Sequence, residues 1–242
     1  YGYFLHAAEY AHRKALLSPL GRDQQGRFSV DWADFEAKCA QPQCKLVFWC
    51  NPHNPTGRMW TEEELRRAGE IMQKYNLWVV SDEIHCDLSR CGRRHIPLAK
   101  VLPDYPNHNT TKAPTKTFNL AGLAFSNIII RDPALRAAFR DRDKLFGMVN
   151  PLSLTAAKAA YDKGGPWLEE LRAYLDGNFA FVRDFLAAEL PDAGMHLPEA
   201  TYLAWVDLSR CLPDVEDLPG FFANEAGVLL EGGDALFVGN AR

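Results

Sequence analysis

Three short polar clusters carry the residue types that can do chemistry, and each borders an apolar run. Asn51-Pro-His-Asn-Pro-Thr-Gly57 follows residues 45–50, Ser81-Asp-Glu-Ile-His85 follows residues 77–80, and Ala113-Pro-Thr-Lys-Thr-Phe-Asn-Leu-Ala-Gly122 precedes residues 123–130. In an open α/β sheet, ligands bind beyond the carboxyl ends of the strands, so polar residues in these places are the first candidates for a site. Asp82 ends an apolar run, where a carboxylate short of water calls for a cationic partner. By position alone it reads more simply as a helix cap or a surface ion pair. Lys116 stands among small and hydroxyl residues, a setting in which an amine is partly desolvated and made nucleophilic. A lone lysine is ordinarily solvated surface. What distinguishes this chain is the ordered occurrence of an Asn-rich proline turn, a strand-end Asp and a loop Lys.

Other chemistries find less support. Cys39, Cys44, Cys50 and His53 lie near one another in sequence, but they contain no C-x-x-C pair, and Cys50 ends an apolar strand; buried structural thiols are the expectation, and no metal site. Cys86 and His85 are adjacent, which points their side chains apart and argues against a thiol nucleophile with that histidine as its base. No G-x-S-x-G elbow, P-loop or G-x-G-x-x-G is present. Trp49, Trp60, Trp78 and Trp167 read as core or interface.

The elements that must position these clusters alternate between strand and helix patterns, the signature of a mostly parallel sheet with crossover helices. Residues 45–50 are a short apolar strand, stopped by two prolines that permit neither ladder nor helix. Thr61 with Glu64 forms a capping box, after which Leu65, Ala68, Ile71 and Met72 recur at helical spacing before the strand at 77–80. Residues 31–40 read as an earlier helix with Ser29 or Asp31 as cap, and residues 15–20 as a strand. Further helices are expected over 133–146, 151–163 and 166–190, then short strands over 201–206 and 227–230. Gly164-Gly165-Pro166 marks a break, which suggests two units, 1–165 and 166–242, the second a smaller α+β domain. Residues 107–112, Asn-His-Asn-Thr-Thr-Lys, are too polar for a buried strand, so an altered strand is expected before Lys116.

Composition bounds the function classes. The chain has 242 residues, 47% hydrophobic and 24% charged, enough for a substantial core, which excludes a disordered or fibrous protein. With 27 Lys and Arg against 31 Asp and Glu and no long run of like charge, a nucleic-acid partner is not expected. The apolar runs are too short for a membrane span. Six cysteines are too few for a disulfide scaffold and fit a reducing, cytoplasmic setting. The chain opens at Tyr1 without Met and stops at Arg242, so both ends read as truncated.

Taken together, the three clusters resemble signatures of the fold-type I, aspartate aminotransferase-like enzymes that depend on pyridoxal 5'-phosphate, and most closely the MalY/PatB type of cystathionine beta-lyase. Ser81-Asp-Glu-Ile-His-Cys-Asp87 and Ala200-Thr-Tyr-Leu-Ala-Trp205 extend the similarity through most of the chain. The resemblance implies an α/β PLP-dependent transferase fold, a homodimer, and a lyase cleaving a sulfur amino acid to thiol, pyruvate and ammonia; an aminotransferase, or an inactive fragment of such an enzyme, is the alternative. It further implies that Lys116 binds the cofactor covalently and moves the α-proton, and that Asp82 pairs with the pyridine nitrogen. Asn54 and His85 would meet the 3'-oxygen, Tyr1 would stack on the ring, and Thr115 would contact the phosphate. Three features depart from the wider family. Ala124 stands where many aminotransferases carry a phosphate-clamping Arg, the family's glycine-containing phosphate loop, normally upstream of Tyr1, is absent from this sequence, and Arg242 is not assigned the substrate-carboxylate role.

Overall fold

The computed structural model describes residues 1–23, 27–143 and 148–233. The chain starts in helix α1 (Gly2–Tyr10), for which the sequence holds no start signal: Tyr1 offers no capping side chain, and neither end turn is charged to suit the dipole. Packing holds it instead, with Phe4 stacked on Phe48 at 4.9 Å between ring centroids. Strands β1 (Leu20–Arg22) and β2 (Phe28–Val30) pair antiparallel. The strand expected over 15–20 thus keeps only its last residue, because Pro19 has no N–H for a ladder. Helix α2 (Trp32–Cys39) is capped by Asp31, whose carboxylate accepts from the Ala33 and Asp34 amides at 3.1 and 3.0 Å.

Strand β3 (Leu46–Cys50) leads to helix α3 (Glu62–Lys74), which opens on the expected box: Glu64 N donates to Thr61 Oγ1 at 3.2 Å, and Thr61 N to Glu64 Oε2 at 2.7 Å. There follow β4 (Trp78–Asp82), α4 (Leu98–Val101), β5 (His108–Lys112), α5 (Pro114–Thr117), β6 (Asn127–Ile130), α6 (Pro133–Asp143), α7 (Pro151–Lys163) and α8 (Gly165–Glu189). Residues 144–146 of the expected helix over 133–146 lie outside the described residues.

The central sheet runs β3-β4-β5-β6, with the first three strands parallel and β6 antiparallel to β5. Here the expectation of an altered strand before Lys116 is corrected. Residues 108–112 are an ordinary strand, paired on both sides. The ladder uses backbone groups, which polar side chains do not forfeit, and two of the buried polar side chains meet: Thr110 Oγ1 lies 3.4 Å from His108 Nε2. On one side of the sheet, α2, α3 and α4 bury Phe35, Leu65, Ala68, Met72 and Leu98 against Val47, Trp49 and Val79. Trp49 and Trp60 belong to this core, whereas Trp167 on α8 is 46% exposed.

Beyond α8, β7 (Gly194–Met195) and β8 (Val206–Asp207) pair antiparallel, and α9 (Leu218–Phe221) follows. The strand expected over 201–206 survives only at its end, since Thr201 takes φ +71°, outside the extended region. Residues 227–230 form no strand: Gly227 closes a turn at φ +65°, and no ladder partner for the run occurs among the described residues. Arg242 lies outside the described residues. Among those described, no helix is long and apolar enough to cross a membrane.

Candidate active site

Three loops leave the sheet side by side at the carboxyl ends of β3, β4 and β5, because Cys50 is the register partner of Asp82 and Asp82 of Thr111. The three sequence clusters are these loops.

The first, after β3, is held by its own buried polar groups. Asn51 Oδ1 accepts from Trp60 N at 3.3 Å, and its Nδ2 donates to Ile96 O at 3.1 Å. The Asn51–Pro52 and Asn54–Pro55 bonds are cis. Gly57 must be glycine on two grounds: its φ is +67°, and a Cβ there would overlap Pro198. Its carbonyl accepts the Glu199 and Ala200 amides at 2.9 and 3.0 Å. Asn54, at the tip, is buried with Oδ1 facing no hydrogen-bond donor.

The second loop carries Asp82 and His85. The Asp82 carboxylate accepts from Ile84 N at 3.2 Å. Burial pushes this carboxyl above the usual range, while the Ile84 amide, the Thr111 hydroxyl and the Lys116 charge act in the other direction. Between them, Glu83 is fully buried and pinned by the Ser81 hydroxyl at 3.0 Å, the Leu98 amide at 3.0 Å and His95 Nε2 at 2.8 Å. His85 is 1% exposed, and neither ring nitrogen has a partner among the described residues. Burial, reinforced by the Lys116 charge, pushes its pKa down to about 4, so the imidazole is neutral near pH 7.

The third loop is the short helix α5, entered through Pro114 in its first turn, a place where the missing N–H costs nothing. Thr115 is buried, and its carbonyl accepts from Leu120 N at 2.9 Å. Lys116 is half-buried. Its charge acts on both Asp82 and His85, so the three share one neighbourhood. Tyr1 joins them: its phenol is pushed up to about 12, first by burial, then by Tyr3, Asp82 and Cys50. The structure thus brings together Lys116, Asp82, His85 and Tyr1, with Asn54 on the adjoining loop and Thr115 beside the lysine.

A frame around the site was not read from the sequence. Arg58 is buried, with Nη2 2.7 Å from Glu64 and Nη1 3.2 Å from Glu199, and Arg93 reaches the other Glu199 oxygen at 3.1 Å. Arg90 packs over Phe179 of α8 at 4.0 Å and lies 3.1 Å from Asp176. The Tyr202 ring meets His85 edge-on, 5.7 Å between centroids at 68°. The motif at 200–205 was visible as a motif; only the fold shows what it touches.

A model of the aminotransferase class I and II family matches residues 1–231. The chain belongs to that family. Within it, the chain is 41% identical over 234 residues to cystathionine beta-lyase PatB of Bacillus subtilis (strain 168), which covers 95% of this chain and 60% of the relative. It is 35% identical over 214 residues to Protein MalY of Escherichia coli (strain K12), covering 86% and 53%. Among solved structures, the PLP-bound C-S lyase from Staphylococcus hominis superposes with a TM-score of 0.94 at 46% identity, over 100% of this chain and 61% of that one. Cystalysin from Treponema denticola, which contains pyridoxal 5'-phosphate, gives 0.92 at 32% identity, over 97% and 61%. The class I and II aminotransferase fold therefore accounts for the whole described chain, which spans 60% or less of the length of these two curated relatives.

Proposed function

We propose that the full-length protein is a pyridoxal 5'-phosphate-dependent carbon-sulfur β-lyase, releasing thiol, pyruvate and ammonia from cystathionine or a related cysteine S-conjugate, and that this chain holds most of its cofactor-binding residues. The observation that carries this reading is the convergence of Lys116, Asp82 and His85 at the parallel strand ends, with buried polar atoms of His85 and Asn54 left without partners. Such atoms cost stability unless a ligand meets them. A flat heterocycle carrying a phenolic oxygen, a protonated ring nitrogen and an aldehyde suits this set. The Asn54 amide and a neutral imidazole can each donate or accept toward the oxygen, Asp82 can hold the nitrogen's proton, and Lys116 can engage the aldehyde. The names of the relatives support the same reading.

When bound, the cofactor supplies the electron sink for a substrate carbanion. This chain's own groups do the rest. Lys116 would hold the cofactor through Nζ, and the same atom, when free, would take the α-proton. Asp82 would keep the ring nitrogen protonated as its anionic partner, the nitrogen's charge offsetting the burial that by itself pushes the carboxyl up. Asn54 and His85 orient the ring through its oxygen, Thr115 contacts the phosphate, and Tyr1 covers a ring face. Thiolate is a good leaving group, so orientation is the main demand on the protein. Residues 1–165 make up part of the large domain and 166–242 part of the small one in this reading. Six cysteines, too few for a disulfide scaffold, support a cytoplasmic setting in this reading, and the family resemblance supports a homodimer for the full-length protein.

An aminotransferase uses the same lysine and aspartate, and the 31% identity over 201 residues to a probable N-succinyldiaminopimelate aminotransferase, DapC of Mycobacterium tuberculosis, favours it as the second reading. Incubating the cofactor-loaded protein with cystathionine and assaying pyruvate separates them. Release without a 2-oxo acid acceptor supports the lyase, and turnover that requires the acceptor supports transamination. Uptake of cofactor with neither product marks the chain as an inactive part of such an enzyme.

A further inference from the structure

We propose that Tyr202 is a positioning residue for His85, delivered to it by the Glu199 anchor, so that the segment after α8 sets the orientation of a cofactor-facing ring. This rests on the cofactor reading above and adds a residue to which no role has been given. The imidazole of His85 makes no hydrogen bond with the described residues, yet it is fully buried. Among the described residues nothing polar therefore fixes its rotation, and the ring that meets it is Tyr202, packed edge-on. Edge-to-face geometry is directional, because the positive rim of one ring favours the negative face of the other.

The segment that presents Tyr202 is held unusually firmly. Glu199 and Ala200 both donate their amides to Gly57 O. The Glu199 carboxylate accepts from Met59 N at 2.8 Å and pairs with Arg58 and Arg93. Immediately after this clamp, Thr201 is completely buried at φ +71°, a conformation rarely adopted by a β-branched residue. Backbone in such a state persists where the surroundings over-determine it. Its consequence is directional: the chain turns at Thr201, and the next side chain is the one against His85.

The test compares Tyr202→Ala and Tyr202→Phe with the unmodified chain by two readouts. One is the titration of the His85 ring followed by nitrogen-edited NMR in the cofactor-free protein, with the signal assigned by its loss in His85→Gln. The other is the affinity for added pyridoxal 5'-phosphate. The Lys116 charge that acts on His85 is common to all variants. Removing the ring is expected to open the imidazole to water, moving its midpoint from about 4 toward its ordinary 6.5, and to weaken cofactor binding about three- to tenfold. Tyr202→Phe, which keeps the ring, is expected to restore both. If Tyr202→Ala does not fold, Tyr202→Leu, which keeps volume but lacks the aromatic face, is read in its place. A His85 titration unmoved by loss of the ring overturns the proposal. If even the unmodified chain takes up no cofactor, the titration still decides the role of Tyr202, and the cofactor reading alone fails.

Discussion

Cys50 and Asp82 are register partners on the last rung of the β3–β4 ladder, so the loops carrying Asn54 and His85 leave the sheet at one level. Thr111 extends that rung to β5, which brings the Lys116 loop to the same height. The site is therefore a property of strand register: a slip of one residue in β4 would turn Asp82 to the opposite face of the sheet.

The Asp82 carboxylate is half-buried at this rung and accepts an amide hydrogen bond from Ile84. Its proposed partner is the protonated ring nitrogen of the cofactor. Asp82→Asn keeps the shape and removes the charge, so cofactor affinity should fall by about ten- to a hundredfold, the worth of a hydrogen bond to a charged group. Titration with pyridoxal 5'-phosphate reads this directly, and equal affinity in the variant would remove Asp82 from the site.

His85 also makes stability depend on pH. Its pKa is about 4 when folded against an ordinary value of 6.5, so above pH 6.5 the ring is neutral in both states. As pH falls from 6.5 toward 4 the unfolded chain binds a proton that the folded chain does not, and stability is lost across that window, by about 3 kcal/mol at its lower end. Burial drives His53 the same way, to about 3, whereas Asp82, raised by burial, has the opposite sign and favours folding as pH falls through its pKa. His85→Gln should flatten the acid loss in urea unfolding of the cofactor-free protein between pH 7 and pH 4. Parallel profiles for the two proteins would show that His85 is not the group responsible.

Arg58 joins the loop after β3 to the segment after α8, with Glu64 and Glu199 as partners and its own side chain 6% exposed. Replacing it by Leu leaves Glu199 with the Met59 amide and the half-exposed Arg93, and breaking a buried pair from one side costs about 3–5 kcal/mol. Chemical denaturation should show this loss, and a change below 1 kcal/mol, the range of a surface pair, would mean the link is solvent-screened.

Much of this arrangement was legible because local chemistry and fold agree. The Thr61–Glu64 box, the Asp31 cap and the apolar runs of β3 and β4 announce themselves within a few residues. Strand β5 did not, because its pairing lies in backbone groups that composition does not report. Helix α1 lacks caps and dipole-matched charge, so only its packing on β3 reveals it. At the site, Asn54, Asp82, His85 and Lys116 each occupy a strand-end loop and could be nominated from position and resemblance. Glu83, Arg58, Glu199 and Tyr202 could not, since their partners are distant in sequence and their roles exist only as contacts.

The central claim is that Lys116 is the cofactor-bearing amine. The direct measurement is to add pyridoxal 5'-phosphate to the purified chain, dialyse, reduce with borohydride and map the labelled peptide by mass spectrometry, beside Lys116→Ala. A visible band retained on dialysis and removed by borohydride, with the label on Lys116 and none in the variant, is the predicted result. Label spread over surface lysines, or equal label in Lys116→Ala, would contradict the account.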